Sequence, residues 1–263
     1  MKSKLAIILP SFIIVFCAVG FLFAPHDPNH IDLGKKFFER SMEYPLGTDQ
    51  VGRCIYSRLL YGGKTTVGII VFGSVVISLI GSALGLILGL SGNKKNVVME
   101  SILNAVTAIP PIAYLIIFIG AWGNGLVTMI MALTVSLVLR LIKLVKTKTE
   151  IELRKAYIAC AISSGATRLN ILFVHVLPNI LYDVIHFICL SSAEMILTIT
   201  GFSFIGLGFG DNIIDWGKMI SDARGMMIIK PDAILYPIAL VFICAFCFNL
   251  LSKEFEKRGT HHA

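Results

Sequence analysis

The sequence predicts an all-α membrane protein with about six transmembrane helices, and three observations predict it. Of its 263 residues, 56% are hydrophobic and 15% are charged. Soluble domains average about 25% charged residues, so too few charges are present to cover a water-facing surface of this size. The mean hydropathy is +0.82. Several uncharged runs also reach the ~20 residues that a helix needs to cross a bilayer, where no water can satisfy the backbone. Disordered, collagen-like and disulfide-scaffold classes are excluded by the same composition.

The first run, Leu5 to Ala24, follows Lys2 and Lys4. A secretory signal has a shorter apolar core, of ~7–15 residues, that ends in small residues, so this run reads as an uncleaved anchor. Thr65 to Leu90 gives the second span. Ser101 to Leu139 holds no charge but is too long for one helix, and the Gly120-Ala-Trp-Gly-Asn-Gly125 turn cluster divides it. Pro110-Pro111 should kink the earlier half. Asn179 to Thr200 is apolar apart from Asp183, His186, Glu194 and small polar residues, and Ala233 to Leu251 is the last run. The expected spans lie near 5–24, 66–91, 100–119, 125–143, 179–200 and 233–252. In domain terms, residues 1–64 form an anchor helix and outer loop, 65–258 the transmembrane domain with a cytoplasmic loop at 149–178, and 259–263 a tail.

Charge sets the expected orientation. With the N-terminus inside, the inner segments hold fourteen of the 23 basic residues and five of the 16 acidic ones. The inner face is then +9, the outer face neutral and the spans −2. The positive-inside rule places both termini in the cytoplasm. The basic balance is thus a topology signal and implies no nucleic-acid partner.

The six cysteines follow no framework. Cys244-x-x-Cys247 lies mid-helix and reads as packing, not as a metal or redox site. Gly81, Gly85 and Gly89 repeat every four residues, the mark of a close helix-packing face. Gly63-Lys64-Thr65 imitates the end of a phosphate-binding loop, but Arg58 stands where that loop needs glycine, so ATP is not bound by that route. His26, His30, His261 and His262 suggest nickel, yet loop and terminal histidines are ordinarily surface groups, and no metal site is assigned.

Between spans four and five, Thr149 and Glu152 have capping-box spacing. This predicts a helix over about 150–164, stopped by Gly165, and a second short helix capped by Thr167 that ends before Pro178. Ala156, Ala159, Cys160, Ala161, Ser163 and Ser164 give the first helix a low profile that can lie against another protein. A plain solvated loop is the alternative. The outer loop 201–232, with Gly201-Phe-Ser-Phe-Ile-Gly-Leu-Gly208 and Asp215-Trp216-Gly217, suits a folded-back segment near the interface. Asp183, His186, Leu190 and Glu194 share one face of span five. Charges inside spans default to functional hypotheses, here a lining for a translocation path.

Four separated motifs resemble the permease subunits of peptide/nickel ABC importers. They are Pro45-Leu-Gly47-Thr48-Asp49…Gly52-Arg53, then Tyr157-Ile-Ala159-Cys160-Ala161…Gly165-Ala166…His175-Val-Leu-Pro178-Asn179, then Ser203 to Gly208 with Trp216-Gly217-Lys-Met, and Phe248-Asn-Leu-Leu251. Their order and spacing hold over about 40–258. The family's usual glutamate in the second motif is Ala159 here, its basic residue is Ile162, Asp211-Asn212 replaces a proline pair, and Cys54 stands where an acid is common.

The resemblance implies the type I ABC importer permease fold, with residues around Tyr157, Ala159–Ala161, Gly165 and Ala166 docking on an ATPase. It implies no chemistry in this chain, and ATP and Mg only in that ATPase. The expected partners are a second homologous permease, two ATP-binding subunits, an extracytoplasmic solute-binding protein and the lipid bilayer of a bacterial or archaeal cytoplasmic membrane. Peptides and nickel or metal chelates are the implied cargoes, with another small solute as the alternative. A stand-alone secondary transporter would show internal repeats and paired broken helices. An intramembrane hydrolase would show a nucleophile or zinc motif. Neither pattern is present in the sequence.

Overall fold

A computed structural model describes residues 2–90, 96–210 and 213–262. Lys94, Lys95, Asp211 and Asn212 lie outside the described residues, as do the side chains of Lys2, Lys4, His261 and His262. Among the described residues there is no strand, only a bridge between Thr48 and Cys54. Among the same residues five helices are long and apolar enough to span a membrane, and a sharply bent pair makes up to six.

Helix α1 (Lys2–Val19) continues through a short 3-10 turn to Phe23. It exposes Leu5, Ile8, Leu9, Phe12 and Phe16, as expected of a helix whose solvent is hydrocarbon. Helix α2 (Ile55–Leu90) starts well before the hydrophobic run at residue 65, so the end of the outer loop from Ile55 and the second span are one rod. The boundary drawn at 64/65 therefore falls inside a helix.

The third span is not merely kinked. Helix α3 (Asn96–Thr107) stops, and α4 (Pro111–Trp122) restarts at an 81° bend. Pro110 is extended and Pro111 occupies the first turn of α4, where its missing N–H costs nothing. Gly123, at φ +78°, ends α4 as the turn cluster predicts.

Helix α5 (Leu126–Leu153) runs past the predicted end near 143. The capping box is therefore overturned: Thr149 sits inside α5, fully buried, and opens no helix. The predicted 150–164 helix is instead the shorter α6 (Ala156–Ser163). Thr167 does cap the next helix, accepting from the Asn170 amide at 3.3 Å. That helix does not end before Pro178. Helix α7 (Arg168–Asn170), a π-helical turn (Ile171–Val176) and α8 (Leu177–Phe204) form one rod from Arg168 to Phe204. In the wide turn the Leu177 amide reaches back five residues to the Leu172 carbonyl. Such a turn accommodates a proline ring that would otherwise meet the carbonyl four residues back.

Helix α9 (Trp216–Asp222) and a 3-10 turn lead into α10 (Asp232–His262), which carries the last span through the predicted tail boundary at 259.

The most extensive packing joins α2 to α5 and α8 to α10, and α1 lies across α10 and α2. The glycine repeat works as its spacing predicts. A Cβ at Gly81, Gly85 or Gly89 would lie 2.8, 2.6 or 2.6 Å from Leu141, Val145 or Thr149. The numbers rise together on both helices, so α2 and α5 are parallel and in four-residue register. Cys244 and Cys247 are buried in α10, and the Cys244 thiol donates to Cys17 on α1 at 3.5 Å.

Candidate functional site

Three groups of candidate residues occupy three levels of the bundle. At one end is the low-profile helix α6. Its face is small and open: Ala156, Ala159, Cys160, Ser163, Ser164 and Gly165 are exposed, Ala161 and Ala166 half-buried. Ile158 is its buried anchor. Gly165 at φ +86° closes a Schellman turn, with Ala166 N–H donating to the Ala161 carbonyl and Gly165 N–H to Ile162, both at 3.0 Å. Tyr157 is tied to Glu152, and burial together with that carboxylate pushes its phenol up to about 12.

Deeper in the bundle, the face of Asp183, His186 and Glu194 is real, but every member is paired. Asp183 takes a 2.9 Å ion pair from Lys148, and Glu194 a 3.2 Å pair from Arg140. His186 Nδ1 lies 3.0 Å from Ser252 on α10. Arg140, assigned by charge counting to the inner segment, thus stands level with Glu194 inside the bundle. Each of the two acids in span five has its counter-charge on α5. Together with Asn179 donating to Glu152 at 3.1 Å, the two ion pairs form a ladder between antiparallel α5 and α8. Periodicity exposes one side of such a ladder. The other side is invisible until the helices are paired.

The outer-loop motifs meet each other and neither of the other groups. Gly47 and Gly52 adopt positive φ, and a Cβ at Gly52 would lie 1.7 Å from the Asp32 carbonyl oxygen. Thr48 is fully buried and accepts from the Phe38 amide at 2.8 Å. Asp49 accepts from the Val51 and Arg53 amides and pairs with the Arg53 guanidinium at 2.7 Å. Buried Arg58 crosses to Asp222 at the end of α9 at 2.6 Å. Lys230 donates to the Phe38 and Thr48 carbonyls, and burial pulls its ammonium below the usual range.

Asp215 caps α9 through the Gly217 and Lys218 amides and accepts from Ser203 at 2.6 Å. Burial pushes its carboxyl up, against the pull of those donors. Gly208 packs on Ser203, and Gly217 leaves no room for a Cβ beside the Thr200 carbonyl, which would stand at 2.4 Å. Trp216 is wholly buried and donates from Nε1 to the Leu59 carbonyl at 3.0 Å.

These residues build a collar that fixes the outer loops to α2 and α8. Trp216→Phe, which keeps an aromatic ring and loses the donor, should cost about 1–2 kcal/mol from the lost indole hydrogen bond and the smaller ring. A lowered thermal midpoint in detergent is the expected result. An unchanged midpoint would remove Trp216 from the collar.

The family model described as "Binding-protein-dependent transport system inner membrane component" matches residues 81–258. The chain is 28% identical over 255 residues to the glutathione transport system permease protein GsiD of Pectobacterium atrosepticum, covering 95% of this chain and 85% of that one. It is 31% identical over 247 residues to the peptide transport system permease protein SapC of Escherichia coli, covering 90% and 82%. It is also 31% identical over 231 residues to the di/tripeptide transport system permease protein DppC of Pseudomonas aeruginosa, covering 85% and 76%.

Proposed function

The chain belongs to the family of binding-protein-dependent transport inner membrane components, the permeases of ABC importers, and from that premise we propose that it forms half of an ATP-driven import pathway for peptides. One observation carries the coupling aspect of the reading. Helix α6 is joined to α5 across Arg154 and Lys155, and through the Gly165 turn to the rod Arg168–Phe204. A push on α6 is therefore delivered to two spans, the rigid-body action that alternating access needs.

On this reading Tyr157, Ala159, Cys160, Ala161, Gly165 and Ala166 meet one of two ATP-binding subunits on the cytoplasmic side, where both termini also lie. Ala159 in place of the usual glutamate leaves that contact to shape more than to charge. ATP and Mg belong to the ATPase, and this chain binds no cofactor and performs no catalysis. A second homologous permease supplies the other half of the pathway, and an extracytoplasmic binding protein delivers cargo to the collar. Asp183, His186 and Glu194 line this chain's half, with Glu194 and Arg140 deepest. The relatives are named for peptides and glutathione, which favours peptides over nickel chelates here.

The test is reconstitution in vesicles with the ATPase, second permease and binding protein. Uptake of labelled di- or tripeptide should require hydrolysable ATP and the binding protein, and should exceed uptake of a nickel chelate. Peptide uptake by this chain alone would sink the importer reading. Preferential uptake of the nickel chelate would sink the peptide assignment.

A further inference from the structure

Glu152 carries the sequence signature of a helix cap and does not act as one. It sits on the last turn of α5, only 5% exposed. Both of its carboxylate oxygens are engaged. Oε1 accepts from the Tyr157 hydroxyl at 2.5 Å and from Asn179 Nδ2 at 3.1 Å, while Oε2 takes the Lys155 ammonium at 3.0 Å. Asn179 Nδ2 also donates to the Tyr157 oxygen at 2.8 Å, which closes a triangle. One carboxylate thus joins the end of α5, the first turn of α6 and the first turn of α8.

Besides the triangle, α6 is held by the Tyr157 ring, 6.0 Å from that of His175, and by Ile158. Ile158 is its one buried side chain. Beside the triangle lies a cavity of about 490 Å³ between α5, α8 and α10, lined by Lys148, Glu152, Asn179, Asp183 and Glu256 among others. On that side α6 is held by hydrogen bonds, not by interdigitated apolar side chains. Hydrogen bonds to a charged acceptor have strict geometry and are the stronger kind, so a carboxylate at such a junction conveys displacement where loose contact would slip.

We infer that Glu152 is a positioning residue that locks α6 to α5 and α8, so that movement of α6 becomes movement of both spans. This rests on the reading that α6 meets an ATPase. It assigns the transmission step to a residue within this chain, separate from the docking face.

The complete importer, reconstituted with its partners, provides the test through the ratio of ATP hydrolysed to cargo taken up. Glu152→Gln keeps the size and loses the charge. It should leave ATP hydrolysis within about twofold of wild type and lower uptake about tenfold, since the charge-assisted bonds are lost. Asn179→Leu removes one corner and keeps the Tyr157 and Lys155 bonds, so it should give an intermediate ratio, and it carries the test if Glu152→Gln fails to assemble. Unchanged uptake in both variants, or uptake and hydrolysis falling in parallel, would overturn the inference. Failure of the wild-type assembly to import with ATP would instead sink the importer reading and this inference together.

Discussion

Gly85→Leu is expected to leave the chain without a stable bundle, and Gly85→Ala to lower its thermal midpoint measurably. The reason is geometric. A Cβ at Gly85 would stand 2.6 Å from the Val145 Cβ and 3.0 Å from the Ile142 carbonyl oxygen, and neither atom is the free end of a flexible side chain. Gly81 and Gly89 meet Leu141 and Thr149 as closely, so one larger residue must separate α2 from α5 along several turns. In lipid, no hydrophobic gain drives α2 against α5. Their association depends on close approach. Overpacking by a methyl group costs about 1–3 kcal/mol, and an isobutyl group cannot be accommodated without forcing the helices apart. Gly68 is the control, because nothing lies within 4 Å of its added Cβ. Gly68→Ala should be neutral or slightly stabilising, since alanine is the better helix former by about 1 kcal/mol. Size-exclusion profiles after graded heating in detergent measure all three variants. A Gly85→Ala profile matching wild type would mean that α2 and α5 are not in this register.

The contrast between Gly85 and Thr149 shows what the sequence could convey. A four-residue glycine repeat has one physical use in a lipid-facing helix, and the structure uses it so. Thr149-x-x-Glu152 has two uses, and local pattern does not separate them. The segment before Thr149 contains no glycine or proline, so nothing stops α5, and Thr149 is committed to the groove opposite Gly89. Hydropathy has the same blind spot. It detects where side chains leave the lipid, at Lys143, but a helix need not end there. The early start of α2 at Ile55 is the same error at the other end of a span. Gly165 is legible because a left-handed turn asks for glycine wherever it occurs. Pro178 misleads because the wide turn that admits it leaves no trace in composition.

Partnerships were the least legible feature. The face of Asp183, His186 and Glu194 follows from helical periodicity alone. Lys148 and Arg140 are one helix away and 35 and 54 residues distant, and only the antiparallel pairing of α5 with α8 brings them opposite. Counted as loop charges, they supported the orientation. Placed in the bundle, they neutralise the acids that the count left bare. The outer motifs behave likewise: their turn residues were readable, but the docking of Trp216 on Leu59 was not.

The Arg140–Glu194 pair gives the second large effect. The two side chains face each other at 3.2 Å, each roughly one-third to two-fifths exposed, near the middle of both α5 and α8. Glu194→Ala strands a guanidinium at that depth, where a lone charge costs about 2.5–3.5 kcal/mol on insertion scales. The variant should lose thermal stability, and peptide uptake should fall at least about tenfold. Arg140→Glu combined with Glu194→Arg separates two explanations, because it keeps the pair and reverses which helix carries which sign. If the pair were only a brace, the exchange would restore both stability and uptake. A pathway lining that steers a charged peptide terminus depends on where the negative charge stands. The expected result is therefore restored stability with uptake still depressed. Normal uptake by Glu194→Ala, or full recovery of uptake in the exchanged variant, would remove Glu194 from the pathway and leave it a structural rung between two spans.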